Sequence, residues 1–343
     1  VEIETDPINA ELRRRQGGYG RGGRQRIETD CVEIMTGVWR DTTLGSPIAL
    51  QVINRDYKLE KMEDIERPRP GHGDLSGSVK YLGSVRAILE RASARETAVR
   101  VAAGALAKQL LRRFGIRTIG YVVELGGVSI PPSEAPFDER VRVRDESIIY
   151  SLDPSKDDEI KELIDKTGKA GDTLGGIVEV CVEGLPFGLG THAQWDLKLD
   201  GRLAMAVMAV QAIKGVEIGL GFEAARLPGS KVHDPIHYDE SQRDSPTLGF
   251  ARPTNNAGGL EAGMTNGQPL IIRAAKKPIA PAARGLPRGS ASGAGESPPR
   301  GTRAHGATSS VSGRPRASCS CRETGASRSG APPSCAARRR PRS

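Results

Sequence analysis

The sequence predicts an α+β fold with helices packed on antiparallel-rich sheets, and three features carry that expectation. Twice a helical pattern passes through a glycine into an alternating strand: Ser93–Phe114, Gly115 and Arg117–Ile130, then Leu199–Ile213, Gly215 and Val216–Gly219. Strand-like alternation stands also at Arg26–Met35 and Ser46–Asn54. Regular βαβ units opened by a glycine fingerprint, the mark of a doubly wound parallel sheet, are missing.

In chain order, Ile8–Arg15 reads as a polar helical stretch, followed by the loop Gly17-Gly18-Tyr19-Gly20-Arg21-Gly22-Gly23. Residues 55–80 are charged and rich in proline, which predicts loop. The best helix runs from Ser93 to Phe114: Ser93 and Glu96 form a capping box, and Gly115 supplies the stop. Ala94, Ala98, Val101, Ala102 and Ala105 lay small residues along one of its faces, which permits close packing. Residues 131–155 read as loop and 156–168 as a short charged helix; Gly171–Leu185 is a turn entering a Val-rich strand.

The chain has 343 residues, with 50 Lys and Arg against 42 Asp and Glu. Its apolar runs fall short of the roughly 20 residues a spanning helix needs, and no leader pattern opens it, so a cytoplasmic protein with no membrane is expected. The start at Val1 rather than Met predicts a fragment or a processed product. Cys31 and Cys181 lie far apart in the body and read as reduced, buried thiols.

Residues 280–343 differ from the body. They hold twelve Arg, no Lys and two acids, which leaves 38 bases against 40 acids in residues 1–279. With one Leu, one Val and no Ile, Phe, Tyr, Trp or Met, the segment cannot bury enough apolar surface to offset the entropy of ordering. The expected division is therefore a body of 1–279 and a disordered tail of 280–343. Two other readings of the tail stand: an Arg-rich arm for nucleic acid, and a GC-rich gene read out of frame. No aromatic side chain is available to stack on bases, so nucleic acid is not expected as a partner.

Several segments carry candidate chemistry. Arg91, Ser93 and Arg95 surround the start of the best helix, which is either an anion site or ordinary capping with surface arginines. Arg13, Arg14, Arg15, Arg21 and Arg24 surround five glycines, either a phosphate loop or a solvated turn; no Gly-Lys-Ser/Thr follows, so it is not an ATPase loop. His72 sits in a basic loop beside Gly71 and Asp74, as a proton donor or as a plain surface histidine. Pro235 breaks any helix that would align His233 with His237, so no metal site is expected. The Gly/Asn-rich stretch Asn255–Gln268 has the character of an ordered functional loop, and Lys276-Lys277-Pro278-Ile279 follows it with cations suited to phosphate.

Together these segments resemble the chorismate synthase family. The motifs are Arg-Gln-Gly-Gly-Tyr-Gly-Arg-Gly at 15–22, Arg-Pro-Gly-His at 69–72, Arg-Ala-Ser-Ala-Arg-Glu-Thr-Ala at 91–98 and Gly-Asp-Thr-Leu-Gly-Gly at 171–176. Gln-Ala-Ile-Lys-Gly-Val-Glu at 211–217 and the Asn256–Gln268 loop complete the match, over about residues 8–279. The resemblance implies a β-α-β sandwich and a homotetramer. It implies a lyase that eliminates phosphate from 5-enolpyruvylshikimate 3-phosphate in an anti-1,4 sense to give chorismate, the last common step of the shikimate pathway. The cofactor implied is reduced FMN, with NADPH as a candidate reductant. By motif position, Arg91, Ala92, Ser93, Gln211, Ala212, Ala262, Lys277, Pro278 and Ile279 would bind FMN. Arg15 and Arg21 would bind the phosphate of substrate or of NADPH, and His72 would protonate the reduced flavin.

The match also has departures. The family's Gly-Glu-Ser-His-Gly strand is missing, Ala262 replaces a flavin-contacting glycine, and the loop after Lys80-Tyr81 is one residue short. Past Ile279 the family's Arg-x-Asp-x-Cys-x-x-Pro stretch is not recognisable. These departures lead us to expect a copy truncated at both ends. An inactive flavin-binding remnant and a nucleic-acid binder acting through the tail stand as alternative readings.

Overall fold

In the computed structural model, residues 1–21, 29–54, 63, 65, 68–92 and 94–279 are described. All belong to one unit, Val1–Ser290. Ser93, the first residues of the expected strand at 26–35, most of 55–67 and the tail 280–343 lie outside the described residues.

Helix α1 (Thr5–Gln16) carries Asp6 in its first turn and Arg13, Arg14 and Arg15 in its last, which suits both ends of the helix dipole. Ile8 and Leu12, four apart, are fully buried on one face. Strand β1 (Val32–Thr36) follows, then a hairpin of β2 (Val38–Trp39) and β3 (Thr42–Thr43) turning on Arg40 and Asp41, both at positive φ. Strand β4 (Ala49–Val52) returns antiparallel to β1, with Val32 opposite Val52. Cys31, just before β1, is exposed rather than buried, so the expectation of two buried thiols holds only for Cys181. Its neighbour Val32 is the side chain that turns into the core.

Two helices fall where loop was expected. Helix α2 (Asp74–Tyr81) occupies the end of the predicted loop; with Ser76, Gly77 and Ser78 inside, it has little intrinsic helix propensity. Gly77 gives room for Ile88 of α3 (Val85–Arg91), whose first turn is capped by Ser84 Oγ accepting the Ala87 N–H at 3.3 Å. A short 3₁₀ turn, Ala94–Glu96, then leads into α4 (Thr97–Arg112). The long helix thus starts four residues later than predicted. The Glu96 carboxylate accepts from Gln211 and from Arg100 Nε, and its expected capping-box partner Ser93 lies outside the described residues. Ala98, Ala102 and Ala105 of α4 pack on Ile8 and Leu12, as the small-residue face foretold.

Past Gly115, at positive φ, β5 (Arg117–Leu125) turns through Gly126–Gly127 into β6 (Val128–Ser129). The second unexpected helix, α5 (Phe137–Glu146), lies in a predicted loop. Its inner face buries Arg140 and Arg144, so its polarity hid the helix from periodicity. Helix α6 (Asp157–Lys169) and β7 (Gly176–Glu183) follow as expected.

Helix α7 (Leu199–Met208) ends early, and β8 (Ile213–Ile218) contains Gly215, which is therefore no helix stop. Beyond lie the single turn α8 (Gly229–Val232), the paired strands β9 (His237–Tyr238) and β10 (Phe250–Ala251), and the hairpin β11 (Leu260–Glu261) with β12 (Met264–Thr265). Strand β13 (Leu270–Lys276) closes a five-stranded sheet in the order β6-β5-β7-β13-β8. All its pairs are antiparallel. Period-2 alternation splits the sheet's apolar residues: Ile119, Tyr121 and Cys181 meet Phe137 and Val141 of α5, while Leu270 and Ile272 meet Leu199, Leu203 and Val207 of α7. No helix among the described residues is long and apolar enough to cross a membrane.

Candidate active site

The turn Arg69–Asp74 is built round one carboxylate. Asp74, fully buried at the start of α2, accepts the Arg69 backbone N–H at 3.0 Å, Arg69 Nε at 2.9 Å and Arg69 Nη2 at 3.1 Å. His72 Nδ1 lies 2.5 Å from Asp74 Oδ1. Desolvation would raise the Asp74 pKa, but the hydrogen bonds and charge of Arg69, with His72, outweigh it and hold it at about 2. Facing a carboxylate, Nδ1 carries the proton, so Nε2 is the ring nitrogen that can exchange one. The turn closes through Gly71 at φ +70.

Three other segments meet this turn or one another. Ala92, the C-cap of α3, has its Cβ 3.8 Å from where a Cβ on Gly73 would stand. Lys277 Nζ is 3.9 Å from the same position on Gly71. The Lys277 N–H in turn donates to Ala212 O at 2.9 Å, with Ala212 held at φ +70. Gln211 reaches Glu96 with its amide nitrogen, while its Oε1 is buried with no hydrogen-bond partner among the described residues. The structure thus joins His72, Ala92, Gln211, Ala212 and Lys277. Arg91 is the last residue of α3, so it lies at a helix C-terminus and not at the helix start from which an anion site was argued.

Arg15 and Arg95 are fastened together from below. Asp30, 4% exposed, accepts Arg95 Nη1 at 2.6 Å and Arg15 Nη1 at 3.2 Å, and Arg15 Nε donates to Thr97 Oγ1 at 3.1 Å. Pro278 and Ile279 are clamped by the Gly-Asp-Thr-Leu-Gly-Gly segment. Thr173 Oγ1 donates to Ile279 O at 2.5 Å, and a Cβ on Gly175 would stand 3.0 Å from Pro278 Cδ.

Arg21 lines a cavity with Lys276 and Ile279. Ala262 sits in the β11–β12 turn, whose base packs at Pro269 and Leu270, the opposite end of β13 from Lys277. The seven residues of β13, roughly 20 Å, separate the base of that turn from Lys277. Asp30, Asp74 and Thr173 were not singled out from sequence. Asp74 had a signal, two residues beyond His72; Asp30 joins Arg15 across 15 residues and Arg95 across 65, and Thr173 joins Ile279 across 106. Among the described residues no group of three or more His, Cys, Asp or Glu could hold a metal ion.

The family model for chorismate synthase matches residues 1–290. The chorismate synthase of Trichlorobacter lovleyi is 55% identical over 293 residues, covering 81% of this chain and 75% of the relative. That of Geobacter metallireducens is 52% identical over the same shares, and that of Caldanaerobacter subterraneus subsp. tengcongensis is 52% identical over 281 residues, 71% of its length. A solved structure described as "Crystal Structure of Chorismate Synthase" superposes with a TM-score of 0.69 at 44% identity, over 81% of this chain and 76% of the other. With a joined His72–Ala92–Ala212–Lys277 cluster on an antiparallel α+β frame, and with matches of this extent, the chain belongs to the chorismate synthase family.

Proposed function

We propose that this chain converts 5-enolpyruvylshikimate 3-phosphate to chorismate by anti-1,4-elimination of phosphate, with reduced FMN held at the cluster of His72, Ala92, Gln211, Ala212 and Lys277. The reaction class, a lyase of aromatic amino-acid biosynthesis, follows from the family. The residues fit a flavin mononucleotide. Among the described residues Gln211 Oε1 is a buried acceptor that lacks a donor, which a ring N–H would satisfy. Lys277 supplies a cation for the phosphate end, and Ala92 and Ala212 offer small walls. Arg91, Ser93, Pro278 and Ile279 complete the binding set by motif position. When bound, reduced FMN supplies electron density and an acceptor for the hydrogen that leaves opposite the phosphate.

The chain's own part is positional and electrostatic. Asp74 orients the His72 ring through Nδ1 and leaves Nε2, 3.2 Å from Arg69 Nη2, as the nitrogen through which a proton would be exchanged. Arg15 and Arg95, fixed by Asp30, set a positive field where charge grows on the departing phosphate. NADPH is the candidate reductant, and the proposed setting is the cytoplasm, as a homotetramer. Assembly is supported by Trp195, Phe222 and Met205, which are 83%, 71% and 69% exposed and would be covered by it.

The observation that carries this reading is the double engagement of Lys277, by its backbone with Ala212 and by its ammonium beside Gly71 of the His72 turn. An anaerobic assay with reduced FMN and 5-enolpyruvylshikimate 3-phosphate tests it, and release of phosphate with chorismate is expected. A flavin difference spectrum without product would leave only a flavin binder; neither signal would overturn the reading.

A further inference from the structure

The last turns of α1 and α4 meet the start of β5 and helix α5 round a cavity of about 370 Å³, within the range of small-molecule sites. Five cations line it: Arg14, Lys108, Arg112, Arg117 and Arg144. None of its lining residues belongs to the cofactor set or to the arginines proposed for the substrate phosphate. Thr97, which fastens Arg15, opens α4, and Lys108 stands eleven residues further on, about 16 Å along the helix. Arg14 is bound to Glu11 and Asp145, whereas its neighbour Arg15 is bound to Asp30 and Thr97.

The cations outnumber the carboxylates that hold them. Glu11 accepts from Arg14 and, at 2.7 Å, from Lys108 Nζ. One oxygen of Asp145 lies 3.3 Å from Arg14 Nε, accepts from Arg144 Nε at 3.0 Å and stands 2.9 Å from Arg144 Nη2. Arg144 is 3% exposed, and its Nη1 makes no hydrogen bond among the described residues. Arg112, on the exposed rim, makes no side-chain hydrogen bond or ion pair among the described residues. Arg117 is matched by Asp138 at 3.4 Å. With that pair set aside, four cations share two acids, a surplus of two positive charges. Burial would raise the Glu11 pKa, yet Lys108, Arg14 and Arg144 together hold it below the ordinary value, a sign of the positive field here. Unbalanced like charges in a partly closed cavity cost free energy unless an anion joins them. A surplus of two suits a dianion, and guanidinium forks suit the oxygens of a phosphate. Ile116, Phe137 and Val141 add an apolar wall beside the cations.

We propose that this cavity is a second ligand site, for a small phosphomonoester: the dianionic head among Lys108, Arg112 and Arg144, the apolar body against Ile116, Phe137 and Val141. The inference does not depend on the flavin reading.

Calorimetric titration of the full chain with phenyl phosphate tests it, at about pH 8, where a phosphomonoester carries close to two charges. Methyl phenyl phosphate serves as the monoanion, and succinate as a dianion with its charges apart. Arg112→Met removes a cation that holds no other described residue, and Arg112→Glu reverses it. A saturable binding event is expected for phenyl phosphate, about tenfold weaker in Arg112→Met and lost in Arg112→Glu. In the parent chain the diester and succinate should each bind at least about tenfold more weakly. The thermal midpoint and the flavin difference spectrum of both variants should match the parent's. No saturable binding, binding unchanged in Arg112→Glu, equal or tighter binding of the diester or succinate, or a flavin spectrum lost in either variant would each overturn the proposal. The two readings fail separately. No phenyl phosphate binding beside an intact flavin spectrum sinks this inference alone, and no flavin spectrum beside an event that depends on Arg112 sinks the flavin reading alone.

Discussion

His72 Nδ1 lies 2.5 Å from Asp74 Oδ1, and the same carboxylate is gripped by Arg69 through two guanidinium nitrogens and its backbone N–H. One buried acid therefore sets both the shape of the turn and the histidine tautomer. Its folded-state pKa, about 2, lies below the ordinary 3.8. A depressed carboxylate contributes stability that is present above the unfolded value and is lost as pH falls towards the folded one. Asp74→Asn should cost about 2 kcal/mol near pH 7. In denaturant titrations, the drop in stability between about pH 4 and pH 2 should be smaller in the variant than in the parent. Turnover should also fall, with a displaced pH profile, because the amide no longer demands a proton on Nδ1.

Lys277 offers a second test. Among the described residues its ammonium makes no ion pair and donates only to the Pro278 carbonyl oxygen, at 3.5 Å. Lys277→Ala should weaken FMN binding by about tenfold or more, the worth of one charge-assisted contact to phosphate. The unfolding midpoint should stay within error of the parent. An unchanged dissociation constant in the anaerobic flavin titration would remove Lys277 from the site.

The β11–β12 turn places Ala262 at φ +51 and Gly263 at φ +82, the pair of left-handed residues a two-residue hairpin demands. Only Gly263 is suited to it. Ala262→Gly relieves a strained residue but adds unfolded-state entropy, for a net gain of about 0.5–1 kcal/mol. A rise of about 2 °C in the thermal midpoint is expected, and Ala262→Val should lower it.

The contrast between α4 and α5 explains what could be read ahead of the structure. The alanines of α4 and the alternation of β5 and β7 spoke through apolar periodicity, because those faces bury hydrocarbon. Helix α5 buries Arg140 and Arg144 instead, and α2 is short and glycine-bearing, so neither left a periodic trace. Within the site, Arg69-Pro70-Gly71-His72 and Gln211-Ala212 were legible as motifs. Their junction was not: the Lys277 bond to Ala212 and the Asp30 bridge between Arg15 and Arg95 are tertiary, with no local signature.

Gly175 is where the fold and the site meet most tightly. A Cβ there would stand 2.8 Å from Lys276 O and 3.0 Å from Pro278 Cδ, closer than side chains tolerate. Since its φ is not in the left-handed region, any penalty on Gly175→Ala is contact rather than backbone strain. The segment 276–279 must then move, at a cost of about 1–3 kcal/mol. Because Lys277 and its bond to Ala212 ride on that segment, flavin affinity should fall together with stability, although no flavin-facing group has been altered. Gly104→Ala in α4, where a Cβ meets nothing within 4 Å, is the control. It should stabilise the chain by up to about 1 kcal/mol and leave flavin binding as it was. Equal effects from the two substitutions would show that the clamp on Pro278 has no bearing on the site.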